Sequence, residues 1–295
     1  MPIRMFISNS KFVSPLIRLS KPIITLSVAF SALTGFILYK GSFTHSWISM
    51  YLGVLLIAAG SSAINQIQEA ASDKLMARTR HRPLPAGHIS KRAAWVWALL
   101  LALTGAVLLW WMTNPTATLL AVFTLAWYNG VYTPLKRITP WAIIPGAIVG
   151  AIPPAIGWTA AGGALHHPHI IFVAFFFFIG QIPHFWLILL RHGLDYEKAG
   201  FPSISRTFSK HQISRLTFVW TSATAFTAIL LPVFGIITSK GVSGAVFLLS
   251  ITLTGSFHIW PGIKNPSRVN RAFLIMNFYF LLMMLLMIAD ALLRS

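Results

Sequence analysis

Apolar residues occur along this chain in long, nearly uninterrupted runs. Nine stand out, at 22–39, 47–69, 93–112, 116–133, 141–161, 169–190, 216–238, 242–260 and 272–293. Each is roughly twenty residues long, the length an α-helix needs to cross a bilayer core of about 30 Å. Many contain Gly or Pro, which membrane helices tolerate when neighbours satisfy the freed backbone groups. The connections are short except for two, 70–92 and 191–215. The pattern predicts an all-α polytopic membrane protein, with nine transmembrane helices in a bundle and one membrane domain over residues 1–295.

Composition agrees. Hydrophobic residues make up 56% of the chain and charged residues 9%, with a mean hydropathy of +0.72. A soluble domain carries roughly 25% charged residues. The absence of cysteine excludes a disulfide framework and a thiolate metal site. Residues 1–21 carry Arg4, Lys11, Arg18 and Lys21 but no compact apolar core followed by a small-residue cleavage site. They are expected to be a cytoplasmic segment rather than a secretory signal.

Charge orients the spans. Of 23 Lys and Arg, 20 lie in alternate segments outside the spans, starting with the N-terminal one. The other three are Lys40, Lys240 and Arg294. Positive residues mark the cytoplasmic side, which puts the N-terminus in the cytoplasm and the C-terminus outside. The expected location is a bacterial inner membrane. The net charge of +18 follows from this topology and from attraction to anionic headgroups. The partner it implies is the lipid bilayer, not nucleic acid.

Only five residues are acidic: Glu69, Asp73, Asp195, Glu197 and Asp290. Four belong to the two long cytoplasmic connections or their edges. Asp290, near the outer end of the last span, reads as structural or interfacial. Asn65, Glu69 and Asp73 are spaced i, i+4, i+8 and share one helix face. Like charges at i, i+4 repel, and an apolar setting raises the cost of keeping both ionised. Either Lys74 or Arg78 supplies a compensating cation at a helix end, or a divalent metal does. Asn and carboxylate oxygens are hard ligands suited to Mg²⁺.

The residues that follow favour the metal. Lys74, Arg78, Arg80 and Arg82 come within nine positions, and Arg is the preferred bidentate phosphate ligand. Pro83 is expected to stop the helix at Arg82. Asp195 and Glu197 follow the sixth span, two apart and therefore on different helix faces, which singles out Asp195. Lys136 and Arg137 follow the fourth span on the same side. The cytoplasmic ends of spans two, four and six are expected to converge on one metal–phosphate site. The metal ligands are Asn65, Glu69, Asp73 and Asp195, and the diphosphate ligands are Arg78, Arg82, Lys136 and Arg137. The apolar interior beneath would house a lipid tail.

At these residues the chain resembles the UbiA superfamily of membrane prenyltransferases, and within it the subfamily that farnesylates protoheme IX, the heme O synthases. The resemblance spans about residues 15–292. It is carried by "NQIQEAASDKLMARTRHRPLPAGHIS" from Asn65, with Glu69 in place of a more frequent aspartate, and by "YTPLKRITPWAIIPGAIVGAIPPAIGW" (132–158). "PHFWLILLRHGLDYEKAGFP" (183–202) and "RAFLIMNFYF" (271–280) complete it. Quinone-type relatives show two aspartates four apart in the second motif. Here position 199 is Ala, which matches the heme type. "SISRTF" after Pro202 departs from the usual Met-Leu-Pro pattern.

The resemblance implies nine membrane helices and a reaction. Mg²⁺ and basic residues draw on the diphosphate of farnesyl diphosphate, the allylic bond ionises, and a vinyl group of protoheme IX attacks. Water then quenches the new cation to give heme O. Association with other heme-biosynthesis or oxidase-assembly proteins is a further expectation. The competing readings are prenylation of an aromatic or quinone precursor, and an anion carrier. Carriers place charge near the midplane and often carry repeats. Here charge clusters at one face and no convincing repeat is present.

Among ten histidines, His166, His167 and His169 lie on the outer side and read as solvated. His184 lies inside the sixth span, where an ionisable residue is costly and usually functional. It is a candidate heme contact or iron ligand, or else a histidine hydrogen-bonded to a neighbouring helix. The run "FFFF" at 175–178 reads as packing, while Tyr128, Tyr132 and Phe185 are candidates for lining a prenyl channel.

Overall fold

A computed structural model describes residues 14–202, 208–258 and 266–294. Every regular element among them is helical. After a short helix at 14–19, the long helices are α1 (Pro22–Lys40), α2 (Ser46–Asp73) and α3 (Lys91–Met112). Next come α4 (Pro115–Ala126), α5 (Ile143–Ala160) and α6 (Pro168–Lys198). The last three are α7 (Lys210–Val233), α8 (Lys240–His258) and α9 (Pro266–Leu293).

Eight helices among the described residues are long and apolar enough to cross a membrane. The predicted span 116–133 is not among them. Its α-helix is only 12 residues long and runs directly into a six-residue π turn, Trp127–Tyr132, and then Thr133–Leu135. Gln68 Nε2 donates to the Asn129 carbonyl in this turn at 2.9 Å, and Asn129 Nδ2 donates to Ser61 Oγ at 2.7 Å. The widened turn is thereby tied to α2, as π segments near functional sites commonly are.

Three predicted boundaries move. Helix α2 stops at Asp73, well before Pro83. Thr79 Oγ1 turns back to accept the role of a cap, donating to the Asp73 carbonyl at 3.0 Å, and the chain continues in turns. Helix α6 runs on to Lys198, so Asp195 and Glu197 lie on a helix rather than in a loop. Helix α7 begins early, at a capping box formed by Ser209 and Gln212, and ends at Val233 before the left-handed Gly235 (φ 70°). The departure "SISRTF" falls almost wholly outside the described residues.

Two of the bundle's four apolar clusters, among the described residues, are large. One joins α5 through α9 around Phe176, Phe177 and Phe280. The other joins α1, α2, α4 and α5 around Phe36, Ile37 and Met50. Helix α9 packs on both α1 and α6, which brings the last helix back to the first. Phe176 and Phe177 are core residues, as the packing reading of that run expects. With no hydrophobic drive between helices in lipid, close association relies on small residues. At the α1–α5 crossing a Cβ on Gly35 would fall on the Pro154 carbonyl, and one on Gly157 on the Ala32 carbonyl. Helix α3 turns Leu99, Leu100, Leu103, Val107 and Trp111 outward, where lipid belongs.

Asp290 is fully buried at the far end of α9. It accepts from the amides of Thr238 (3.1 Å) and Ser239 (2.7 Å) and pairs with Arg294 at 3.1 Å. Its role is structural, in line with the reading from sequence.

Candidate active site

The last turns of α2 carry Asn65, Glu69 and Asp73 on one face, as their spacing predicts. All three are buried. Their cations come from two directions. Arg82, in the turns after α2, donates from Nη1 to both Asp73 oxygens at 3.0 and 2.8 Å and stands 3.9 Å from Glu69. Lys136, beyond the π turn, forms an ion pair with Glu69. The compensating cations are therefore Arg82 and Lys136, not Lys74 or Arg78. Arg137 donates from Nη2 to the Gln68 carbonyl. The ends of α2 and of the α4 extension thus meet.

The N-terminal segment joins them. Gln66 Nε2 donates to the carbonyls of Arg18 (3.2 Å) and Leu19 (2.8 Å), and Arg18 Nη2 donates to the His81 carbonyl at 3.0 Å. Lys21 Nζ donates to Asn65 Oδ1 at 2.8 Å, while Asn65 Nδ2 donates to Thr133 Oγ1 at 3.2 Å. Burial pulls the Lys21 ammonium down to about 7, and the nearby Arg82 charge adds to the effect. Sequence reasoning counted Lys21 only as a basic residue of the N-terminal segment. The available signal was a Lys followed by Pro at the first residue of an apolar span.

Helix α6 approaches from the other side. Asp195, Arg78 and Arg191 all stand within electrostatic reach of His192. Arg78 is exposed, and among the described residues the ion pairs on Glu69 and Asp73 come from Arg82 and Lys136. No group of three or more His, Cys, Asp or Glu close enough to hold a metal occurs among the described residues. The structure brings Asn65, Glu69, Asp73, Arg82 and Lys136 together and leaves Asp195 outside that group. The donors on α2 still suit a hard cation, being two carboxylates and an amide oxygen aligned on one buried face. His184 packs its ring on Phe273 of α9 at 5.0 Å, and its Nδ1 has no hydrogen-bond partner.

Beneath the polar cluster lies a partly open cavity between α1, α2, α4 and α5, with about 690 Å³ of empty space including its part open to solvent. Its lining is almost wholly apolar, including Val28, Val54, Ile57, Ala121, Val149 and Ile156. Lys21 and Tyr128 also line it. Tyr128 stacks on Tyr132 (5.4 Å between centroids), and Tyr132 meets Phe185 at 5.8 Å. Of the three aromatics expected along a prenyl channel, Tyr128 lines this cavity. Tyr132 and Phe185 line a second one, which Lys136 and Tyr196 share. The arrangement is a charged mouth over a greasy pocket, fit for an amphiphile with an anionic head.

Comparison with known proteins agrees with that chemistry. The UbiA prenyltransferase family matches residues 28–283. The protoheme IX farnesyltransferase of Geobacter sulfurreducens is 43% identical over 194 residues, covering 66% of this chain and 71% of that one. The protoheme IX farnesyltransferase of Oleidesulfovibrio alaskensis is 35% identical over 271 residues, covering 91% and 93%. A UbiA homolog from Archaeoglobus fulgidus, solved with DMAPP and Mg²⁺, shares the fold with a TM-score of 0.69. It is 15% identical, and the match covers 94% of this chain and 98% of that one. A multi-pass helical membrane protein with this site and these relatives belongs to the UbiA prenyltransferase family.

Proposed function

We propose that the chain transfers a farnesyl group from farnesyl diphosphate to a vinyl group of protoheme IX, with addition of water, giving heme O and diphosphate. The observation that carries this reading is the carboxylate–guanidinium–ammonium cluster at the mouth of an apolar cavity. The acceptor is taken from the names of the relatives, protoheme IX farnesyltransferases that match most of the chain.

The farnesyl tail lies in the cavity and the diphosphate at its mouth. Asn65, Glu69 and Asp73 would hold Mg²⁺, and Asp195 would supply a further carboxylate from α6. When bound, the metal supplies positive charge against the leaving oxygens. Arg82, Lys136, Arg137 and Arg78 bind and neutralise the diphosphate as the allylic carbon–oxygen bond breaks. The vinyl carbon of the acceptor then forms the new carbon–carbon bond, and water adds to the resulting cation with loss of a proton. His184 contacts the heme, its Nδ1 being free for a ligand. The site faces the cytoplasm of a bacterial inner membrane, with the N-terminus cytoplasmic and the C-terminus outside. A carrier is disfavoured because the apolar cavity has its single charged lining residue, Lys21, at one end.

The test is direct. Membranes containing the protein are incubated with farnesyl diphosphate, Mg²⁺ and either heme or hydroxybenzoate. Mass spectrometry should find a hydroxyethylfarnesyl heme. A prenylated hydroxybenzoate and no heme product would replace the acceptor. No prenyl product from either would overturn the reading.

A further inference from the structure

Lys21 sits where the two halves of the site meet. It is the only charged residue among those lining the apolar cavity, and its Nζ reaches Asn65 Oδ1. Its backbone is also unusual. At φ 49° and ψ 65° it is the only non-glycine residue with positive φ among the described residues. A helix normally starts from an extended Ser, Thr, Asp or Asn whose side chain caps the first turn. Lys21 precedes α1 in a left-handed conformation and gives no side-chain cap. Such strain persists only where the surroundings impose it. Here Gln66 holds the carbonyls of residues 18 and 19 from α2, and Pro22 follows directly. The strained turn aims a cation back over the cavity mouth instead of out to the headgroups.

We propose that Lys21 positions the prenyl donor by exchanging partners. In the structure its ammonium holds Asn65 Oδ1. When the donor's tail fills the cavity, the same ammonium takes a diphosphate oxygen, and Asn65 Oδ1 is released toward the cation bound by Glu69 and Asp73. Thr133 keeps the Asn65 amide from turning away, through the bond to Nδ2. Tail and head would thus be registered against one another by one residue that touches both compartments. The inference rests on the reading that the donor is a prenyl diphosphate.

Purified protein in detergent is titrated with farnesyl thiodiphosphate, an unreactive analogue, and separately with farnesol, which has the tail without the charge. Both titrations are run with and without Mg²⁺. Lys21→Met should weaken the analogue by roughly tenfold to a hundredfold, the worth of one charge-assisted hydrogen bond. It should leave farnesol within about twofold, well under one hydrogen bond's worth. Lys21→Arg should recover most of the loss, and heme titration should be unchanged in both variants. Lys21→Met protein that binds the analogue like the parent would overturn the proposal, as would equal losses for analogue and farnesol, which mark a packing defect. If the parent protein itself ignores the analogue, the donor reading fails and Lys21 falls with it. Parental binding with an unaffected Lys21→Met variant removes Lys21 alone.

Discussion

A single nitrogen of Arg82 lies within 3.0 Å of both carboxylate oxygens of Asp73, and Asp73 is completely buried while Arg82 keeps a partly exposed side chain. Arg82→Ala therefore strands a buried carboxylate. The expected loss is about 1–3 kcal/mol, between the values for exposed and fully buried pairs. Thermal unfolding in detergent measures it, and Arg82→Lys should recover part. An unchanged midpoint in Arg82→Ala would mean that Asp73 does not depend on this partner.

The same carboxylates should govern turnover. Glu69→Gln, Asp73→Asn and Asp195→Asn are each expected to lose on the order of a hundredfold or more in rate while still inserting into the membrane. Steady-state assay with farnesyl diphosphate and heme, normalised to inserted protein, reads the effect. Near-normal turnover in Asp195→Asn would confine the cation site to α2.

Topology can be read with single cysteines, because the chain has none of its own. Lys74 and Lys240 are exposed and lie on opposite sides of the bilayer in the proposed orientation. Lys74→Cys should react with an impermeant thiol reagent only from the cytoplasmic side, and Lys240→Cys only from outside intact cells. Labelling of both from one side would break the alternation.

Asp290→Ala should separate stability from chemistry. It removes the acceptor for two backbone amides and the partner of Arg294. A loss of about 2–4 kcal/mol is expected from the unpaired buried groups. Turnover per folded molecule should hold, since the residue lies at the end of the bundle away from Asp73. A selective fall in turnover would contradict that placement.

Much of this could be read from the chain. Hydropathy locates the spans, and the i, i+4, i+8 spacing places Asn65, Glu69 and Asp73 on one face. Hydropathy reports desolvation, however, and not helix ends. Helix α6 leaves the apolar run at about residue 190 and continues through polar residues to Lys198. Helix α7 starts at a hydrogen-bonded cap that carries no apolar signal. Which cation serves which carboxylate was also hidden. Lys136 reaches Glu69 from beyond the π turn that follows α4, and nothing in local spacing encodes that pairing. Lys21 was invisible as anything but topology, because its importance comes from a backbone conformation and from a neighbour far along the sequence.

The glycine contact between α1 and α5 bears on which substrates such an enzyme can acquire. The cavity runs from Lys21 toward Pro153 and Ile156, and just beyond them Gly35 and Gly157 bring the two backbones together. Where these two helices cross, the contact is backbone on backbone. No side chain stands in that crossing to be trimmed, so extra length is not opened between α1 and α5. Adaptation to tail length must go through the walls, at positions such as Val54, Ile57 and Ala121, where larger residues shorten the accepted chain and smaller ones widen it sideways. The pair of glycines fixes the spacing of α1 and α5, and chain-length preference should drift among relatives as these wall residues change.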